Sequence, residues 1–361
     1  MGTTTTVRPQ KREAWGRPRK LASMRWQARR KQLRGRRSRC WGGTVTDHDD
    51  TTAVRPLTLA WVSRHLEAGE RVVRAEALHG GITAEMRRLT IRTRDGGTRD
   101  LVLRTFVGVE QAEEWLDREA GALTLLPGTG VPAPELIAAD PTAAQCEYPS
   151  LLMTHLAGTT VLDDDGLAAR VSLLARQLVA IHAIRPAERP REYMTLTTAD
   201  TVVIPRGADA AGWAAAIDVI RGPVPGYEGR FLHRDFQPGN VLFDVPPSGP
   251  AGVRITGVVD WAGASWGPTD LDVAHCCANL ALLHGPEWGP RFAKAYEEAG
   301  GVLAASASVR LYWMVRDALA ASEEVGLLAR TWREGSRGDL TAQLVEERLD
   351  AYVVALMDTL A

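Results

Sequence analysis

The feature that most constrains this chain is the block His233-Arg234-Asp235-Phe236-Gln237-Pro238-Gly239-Asn240-Val241-Leu242-Phe243, followed twenty residues after Asn240 by Asp260 near the end of an apolar run, residues 255–261. Pro238 and Gly239 break helix and strand alike and bend the backbone, so Asp235 and Asn240 stand at the two ends of a short loop and can face one cleft. Residues 240–244 and 253–259 read as two strands joined by the Pro- and Gly-rich turn 246–252, and that hairpin carries Asp260 back beside Asn240. A carboxylate five residues before an amide, with a second carboxylate closing a hairpin, supplies what phosphoryl transfer needs: a base for an acceptor hydroxyl and two oxygen ligands for Mg2+. Asp235 is the candidate base, and Asn240 and Asp260 are the candidate metal ligands. Magnesium usually takes one or two protein carboxylates together with substrate phosphates, so this set suffices. Any one of the three could instead be an Asx residue capping a turn; the joint spacing carries the reading.

At 361 residues the chain exceeds what one hydrophobic core usually serves, so two lobes are expected. Apolar stretches such as 273–283 fall short of the roughly 18 residues a membrane span needs. No membrane association is expected. The four cysteines, Cys40, Cys146, Cys276 and Cys277, form no C-x-x-C pair, which favours neither a zinc site nor a disulfide framework and fits reduced thiols in the cytoplasm.

The near-neutral total charge conceals two opposite parts. Residues 1–40 hold fourteen Lys and Arg against one acid, Glu13, a net +13, which leaves −14 on residues 41–361 and −1 overall. With no apolar periodicity, residues 1–54 are expected to form a basic, disordered and dispensable extension. No apolar run follows the charges, as a secretory signal would require. Nucleic acid is not an expected partner, apart from non-specific polyanion contact through residues 1–40.

Organised structure is expected from about Pro56. Residues 57–66 read as a short helix, and 72–78, 86–93 and 101–104 as strands. Gly80-Gly81 lies between the first two. Glycine lets backbone amides approach phosphate oxygens, although Gly-Gly between strands is also an ordinary hairpin turn, as Asp95-Gly96-Gly97 is expected to be. Arg104 ends the third strand. In the helix expected over 110–126, Trp115, Glu119, Ala122, Leu123 and Leu126 share one face, so Glu119 interrupts an apolar stripe. A carboxylate there is costly to bury alone, and Arg104, always charged and able to bond it in a bidentate fork, is its natural partner. The plain alternative is a surface salt bridge.

Further helices are expected over 167–184, 276–283, 287–299, 309–319 and 341–360. His182, on the apolar face of the first of these, reads as a satisfied core histidine. Acidic groups at Asp163 to Asp165, Glu297, Glu298, Glu323 and Glu324 either attract a cationic acceptor or form solvated faces. Three competing motifs fail on context. Ala133-Pro134-Glu135 precedes Asp235, whereas a protein kinase needs its A-P-E afterwards. Gly128-Thr129-Gly130-Val131-Pro132-Ala133 mimics a dinucleotide fingerprint, yet no strand leads into it and its prolines spoil the helix. Gly263-Ala264-Ser265-Trp266-Gly267 matches the nucleophile elbow of α/β-hydrolases, but the last histidine, His284, follows Ser265 too closely to complete a triad.

Taken together, Gly80-Gly81, Leu103-Arg104, Glu119, Val131-Pro132-Ala133-Pro134, Leu151-Leu152-Met153 with Gly158, Ile181-His182, the 233–242 block and Val258-Val259-Asp260-Trp261 resemble the aminoglycoside phosphotransferase family over roughly residues 56–299. The resemblance implies an α+β, two-lobed, protein-kinase-like fold. Residues 55–156 would form a small antiparallel-sheet lobe that binds nucleotide, and residues 157–361 a larger, mainly helical lobe for catalysis and acceptor binding. It implies transfer of the γ-phosphate of ATP or GTP, with Mg2+, to a hydroxyl of a small molecule such as an aminoglycoside, another hydroxylated antibiotic or an amino alcohol. By position, Asp235 would be the base, Asn240 and Asp260 the metal ligands, and Arg104 with Glu119 the phosphate-orienting pair. The backbone of Met153, Thr154, His155 and Leu156 would meet the purine as an inter-lobe hinge, and His233 and Asp272 would support the catalytic loop. The chain departs from the family pattern at Gln237, where many relatives carry histidine, at Arg104, where others carry lysine, and at Trp261-Ala262, which replaces the Phe-Gly of protein kinases. The alternative readings are a non-catalytic kinase-like binding module and a hydrolase built on Ser265.

Overall fold

Alternation along the strand β3 (Thr98–Thr105) sets the two faces of the sheet. Leu101 and Leu103 point to one side, where they pack with Trp61 and Val62 of the helix α1 (Pro56–Arg64), Leu89, Ile91, Cys146 and Leu152. Val102 points to the other side, into the main core with Phe106 and with Leu116, Ala122 and Leu123 of α2 (Ala112–Leu125). Each fully buried side chain of this size contributes about 1.5–3 kcal/mol. Arg104 falls in phase with Val102, so the same alternation aims it at α2.

The computed structural model describes residues 54–78, 84–246, 249 and 252–360. The Gly80-Gly81 turn and all but the last residue of the basic extension expected over 1–54 lie outside the described residues, as does part of the turn 246–252. Strands β1 (Arg71–Leu78), β2 (Glu85–Arg92), β3, β4 (Leu136–Asp140) and β5 (Ser150–Thr154) form one antiparallel sheet in the order β1-β2-β3-β5-β4. The β2–β3 connection is the plain hairpin expected, with Gly96 at φ 88° and the Asp95 carboxylate accepting from the Gly97 amide at 3.2 Å.

After β5 the chain is mainly helical: α3 (Leu167–His182), α4 (Ala210–Arg221), α5 (Thr269–His284), α6 (Trp288–Glu298), α7 (Ala307–Ala321), α8 (Val325–Glu334) and α9 (Ala342–Leu360). Two short antiparallel pairs interrupt it, β6 (Arg230–Leu232) with β9 (Ser265–Gly267) and, between them in sequence, the hairpin of β7 (Val241–Asp244) with β8 (Arg254–Val258). The fold is α+β. Gly158, at φ 119°, is required where the chain enters the helical part, since a Cβ there would sit 2.3 Å from Thr256 Oγ1 and 3.0 Å from the Phe243 carbonyl.

The helix α5 is apolar almost all round and lies buried among α6, α7 and α9, as such a helix must. It starts seven residues before the expected 276, because Asp270 and Asp272 occupy its first turn, where the helix dipole favours carboxylates, rather than marking a loop. Helices α4 and α8 were not expected. The N-cap of α4 is Asp209, whose carboxylate accepts from the Ala211 and Gly212 amides at 3.2 Å each. Among the described residues, Cys146, Cys276 and Cys277 are free and buried, and no helix is long and apolar enough to cross a membrane.

Candidate active site

The loop after β6 is gripped by α5. Asp272, fully buried in the first turn of that helix, accepts from the His233 amide through Oδ2 and from the Arg234 amide through Oδ1, both at 2.8 Å. Burial would raise the Asp272 carboxyl, but the hydrogen bond from His182 at 3.2 Å and the nearby Arg234 guanidinium hold it low. His182 is itself satisfied, with the Tyr296 hydroxyl 2.7 Å from Nδ1. Arg234 sits at φ 70°, a left-handed conformation costing a non-glycine residue roughly 1–2 kcal/mol, which the two Asp272 bonds offset. Burial lowers the His233 pKa, and the neutral ring fits its contacts: Nε2 donates to the Val259 carbonyl at 3.1 Å and Nδ1 accepts from the Asp235 amide at 3.2 Å. His233 thus ties the loop to the strand that ends at Asp260.

Pro238–Asn240 forms a single 3-10 turn, which returns Asn240 to Asp235. Asn240 Nδ2 donates to the Asp235 carbonyl at 2.9 Å and to Asp235 Oδ2 at 3.0 Å. With the amide nitrogen so engaged, Oδ1 is the Asn240 atom left to bind a cation. The Val259 amide donates to the Asn240 carbonyl at 2.9 Å, and with the β7–β8 register this sets Asp260 beside Asn240. Asp260 is also left-handed, at φ 66°, immediately before a second 3-10 turn, Trp261–Gly263, against which α2 packs.

That packing brings the third group in. Arg104 Nη1 lies 2.9 Å from both Glu119 carboxylate oxygens and 3.0 Å from Asp260 Oδ1. Glu119 is 1% exposed and also accepts from the Trp261 amide, whereas the Asp260 side chain is 38% exposed. Burial acts to lower the Arg104 pKa, but Asp260 and Glu119 together raise it, so the guanidinium stays charged.

One cluster was not anticipated. His275, on α5, places Nε2 3.0 Å from Asp235 Oδ1 and Nδ1 2.9 Å from Asp317 Oδ2, and Asp317, on α7, receives both terminal nitrogens of Arg234 at 3.2 Å on Oδ1. Burial would lower the His275 pKa, but the Asp317 charge and the hydrogen bonds to Asp235 and Asp317 push it up to about 10. The available signals were Asp317 inside an apolar helical run and His275 three residues after Asp272, one turn along the same helix face.

Of the expected hinge, Met153 and Thr154 end β5, with the Thr154 amide donating to the Glu135 carbonyl at 3.0 Å and the His155 amide to the Asp100 carbonyl at 3.3 Å. Leu156 reaches the β7–β8 hairpin, where a Cβ on Gly257 would come within 2.7 Å of its Cδ1. Ser265 is fully buried on β9 with its hydroxyl unpartnered, so it stands on no exposed elbow. The acidic groups weighed as attractors are largely paired: Asp163 with Arg170, Asp164 with His284 and Arg337, Glu297 with Arg310, and Glu298 with Lys294. Among the described residues no group of three His, Cys, Asp or Glu side chains could hold a metal. A cavity of about 570 Å³, lined by Tyr227, Arg230, Tyr296 and Trp313 among others, includes none of Asp235, Asn240 or Asp260.

An antiparallel sheet followed by a helical bundle, with an Asp-Asn loop, a hairpin Asp and a cation paired to a helix Glu between them, is the arrangement of a kinase-like phosphotransferase. The chain belongs to the aminoglycoside phosphotransferase family: the model of the phosphotransferase enzyme family APH matches residues 76–312. No curated relative matches in sequence. Among solved structures, the chain is similar to a candidate aminoglycoside phosphotransferase from Ralstonia eutropha JMP134 at 15% identity and TM-score 0.56, covering 84% of this chain and 96% of that one. It is similar to aminoglycoside phosphotransferase APH(4)-Ia at 20% identity and TM-score 0.53, covering 82% and 97%. The GDP and kanamycin complex of APH(2")-IIIa matches at 18% identity and TM-score 0.52, covering 77% and 93%.

Proposed function

We propose that this chain is a small-molecule O-phosphotransferase that moves the γ-phosphate of ATP or GTP to a hydroxyl of its acceptor. The observation that carries this reading is the junction at Asn240, whose side chain binds Asp235 and whose carbonyl binds the strand leading to Asp260. Asp235, 41% exposed, would accept the acceptor's proton. As that proton leaves, the acceptor oxygen bonds to the γ-phosphorus, and the bond from phosphorus to the bridging oxygen breaks with its electron pair going to the nucleoside diphosphate. Asn240 Oδ1 and Asp260 are hard oxygen donors of the kind Mg2+ takes, and they would hold it. Bound there, Mg2+ would neutralise charge on the phosphate oxygens. Arg104, oriented by Glu119, would steer those phosphates.

On this reading residues 55–156 bind the nucleotide, with Met153 to Leu156 facing the base. Residues 157–361 supply the chemistry and the acceptor pocket. A solved APH(4)-Ia variant holds ADP and hygromycin B, and the APH(2")-IIIa complex holds GDP and kanamycin, which supports trying acceptors of that class first. A cytoplasmic location would give the enzyme its nucleotide. The test is a turnover screen with Mg-ATP and Mg-GTP against aminoglycosides, other hydroxylated antibiotics and amino alcohols. Phosphorylated product that is lost in Asp235→Ala supports the reading. Tight nucleotide binding without transfer to any acceptor would replace it with a binding module.

A further inference from the structure

We propose that His275, buttressed by Asp317, is a positioning residue that fixes the Asp235 carboxylate for phosphoryl transfer; the inference rests on the reading of Asp235 as the base. The imidazole stands between two carboxylates, 3.0 Å from Asp235 Oδ1 and 2.9 Å from Asp317 Oδ2. Carboxylates only accept, so a bond at each ring nitrogen requires a proton on each, and the ring is an imidazolium. Asn279 Nδ2 also lies 3.2 Å from Nε2 and donates to the His275 carbonyl at 2.9 Å; were Nε2 bare to accept its second N–H, the ring lone pair would face the Asp235 carboxylate at 3.0 Å, so the proton stays on Nε2. Charge is balanced across the four groups. Asp235 and Asp317 are negative and His275 and Arg234 positive, so no charge in this largely buried cluster is left without an opposite.

The consequence concerns the orientation of Asp235. His275 holds Oδ1 and Asn240 holds Oδ2, so the carboxylate plane is restrained from both edges before any acceptor arrives. Asn240 alone would be a poor restraint, since on the proposed reading its other amide atom binds the metal. The helix α5 therefore grips the loop twice from one face: Asp272 takes the His233 and Arg234 amides, and His275, three residues on, takes the Asp235 side chain. Asp317 closes the arrangement by holding the far side of the ring and the Arg234 side chain together, tying α7 to the same loop. A histidine suits the place because its two N–H groups point in divergent directions across a flat ring. Lysine offers one flexible ammonium, and glutamine offers one donor group.

The experiment uses the full-length protein with the nucleotide and acceptor found by the turnover screen. His275→Ala is expected to lower kcat about 10- to 100-fold, as loss of a residue orienting a catalytic group does, with nucleotide Kd and acceptor KM within about threefold of the parent. His275→Gln, which can still donate to Asp235, is expected to recover at least a third of the lost rate on a logarithmic scale. In an Asp235→Ala background, His275→Ala is expected to cost nothing more, because the group it orients is gone. An activity-independent measurement runs beside these: with 15N-labelled histidine, the His275 ring should show both nitrogens protonated at pH 8. A kcat for His275→Ala within threefold of the parent, full multiplication of the two losses, or a ring with one bare nitrogen at pH 8 overturns the proposal. Undiminished turnover in Asp235→Ala would instead remove the reading of Asp235 as base, whatever His275 does, so the two failures are distinguishable.

Discussion

The charged clusters on the two sides of Asn240 are built on opposite plans. Around Arg104 a single cation serves two carboxylates, leaving one negative charge in excess, and the surplus falls on Asp260, the more exposed of the two. Around Asp235 two cations, His275 and Arg234, match two carboxylates, and the cluster is neutral within itself. The difference teaches where a protein can leave a charge uncompensated. Each cluster reaches solvent through one carboxylate, Asp260 at 38% and Asp235 at 41% exposure, so what separates them is the number of cations: the buried charges of the second are matched in pairs, and the excess on Asp260 is left for an incoming cation to neutralise.

The comparison can be broken by removing its members. The largest effect is expected at the balanced cluster's exposed end: Asp235→Ala should reduce kcat by about two to four orders of magnitude with little change in nucleotide affinity, measured by steady-state turnover beside equilibrium nucleotide binding. Near-normal kcat would falsify its role as base. The two arms of the Arg104 cluster should then separate. Glu119→Ala, which leaves a buried guanidinium short of its fully buried partner, is expected to cost about 3–5 kcal/mol in denaturant unfolding. Asp260→Asn, at the exposed arm, should cost less than about 1 kcal/mol in the same assay while raising the magnesium concentration needed for half-maximal turnover about tenfold or more. Equal destabilisation by the two variants would mean that both arms are structural.

A smaller effect follows from pH. The folded His275 pKa, about 10, lies above its ordinary 6.5, so its contribution to stability is complete below about pH 6.5 and is lost as pH rises through about 10. Asp317 is depressed, so its contribution is present above its ordinary carboxylate pKa and is lost as pH falls below that. The Arg104 guanidinium titrates above either range. Thermal midpoints measured from pH 6 to 10.5 should therefore show the parent's advantage over His275→Gln shrinking at the alkaline end, and a constant gap would contradict the assignment of charge. The smallest effect is expected from deleting residues 1–40, which carry +13 but none of the proposed site residues. Turnover should be unchanged, and only salt-sensitive polyanion binding should disappear. A fall in kcat beyond twofold would show that the basic segment acts on the site.

How much of this was legible depended on how far apart along the chain the interacting groups lie. Asp235 and Asn240 are five residues apart across a Pro-Gly turn, and Asp260 returns on a hairpin. Backbone geometry alone therefore brought these three together, and their spacing announced it. Arg104 and Glu119 were readable as a pair because strand alternation and helix periodicity each put one charged group on an apolar face. The link from Arg104 to Asp260 spans 156 positions and depends on α2 packing against the 3-10 turn at Trp261, which no local pattern encodes. His275 and Asp317, 42 residues apart, meet only because α5 and α7 pack together. From the sequence each was merely a polar residue in an apolar helix, with no signal naming the other. Helix α4 was missed because its best marker, the capping Asp209 before an alanine-rich run, says where a helix can start but not which surface will hold it. Local covalent geometry thus determined which residues could form the loop, the hairpin and the amphipathic helix. The side-chain packing of distant segments decided which charges share a partner, because that choice depends on burial and distance rather than on order along the chain.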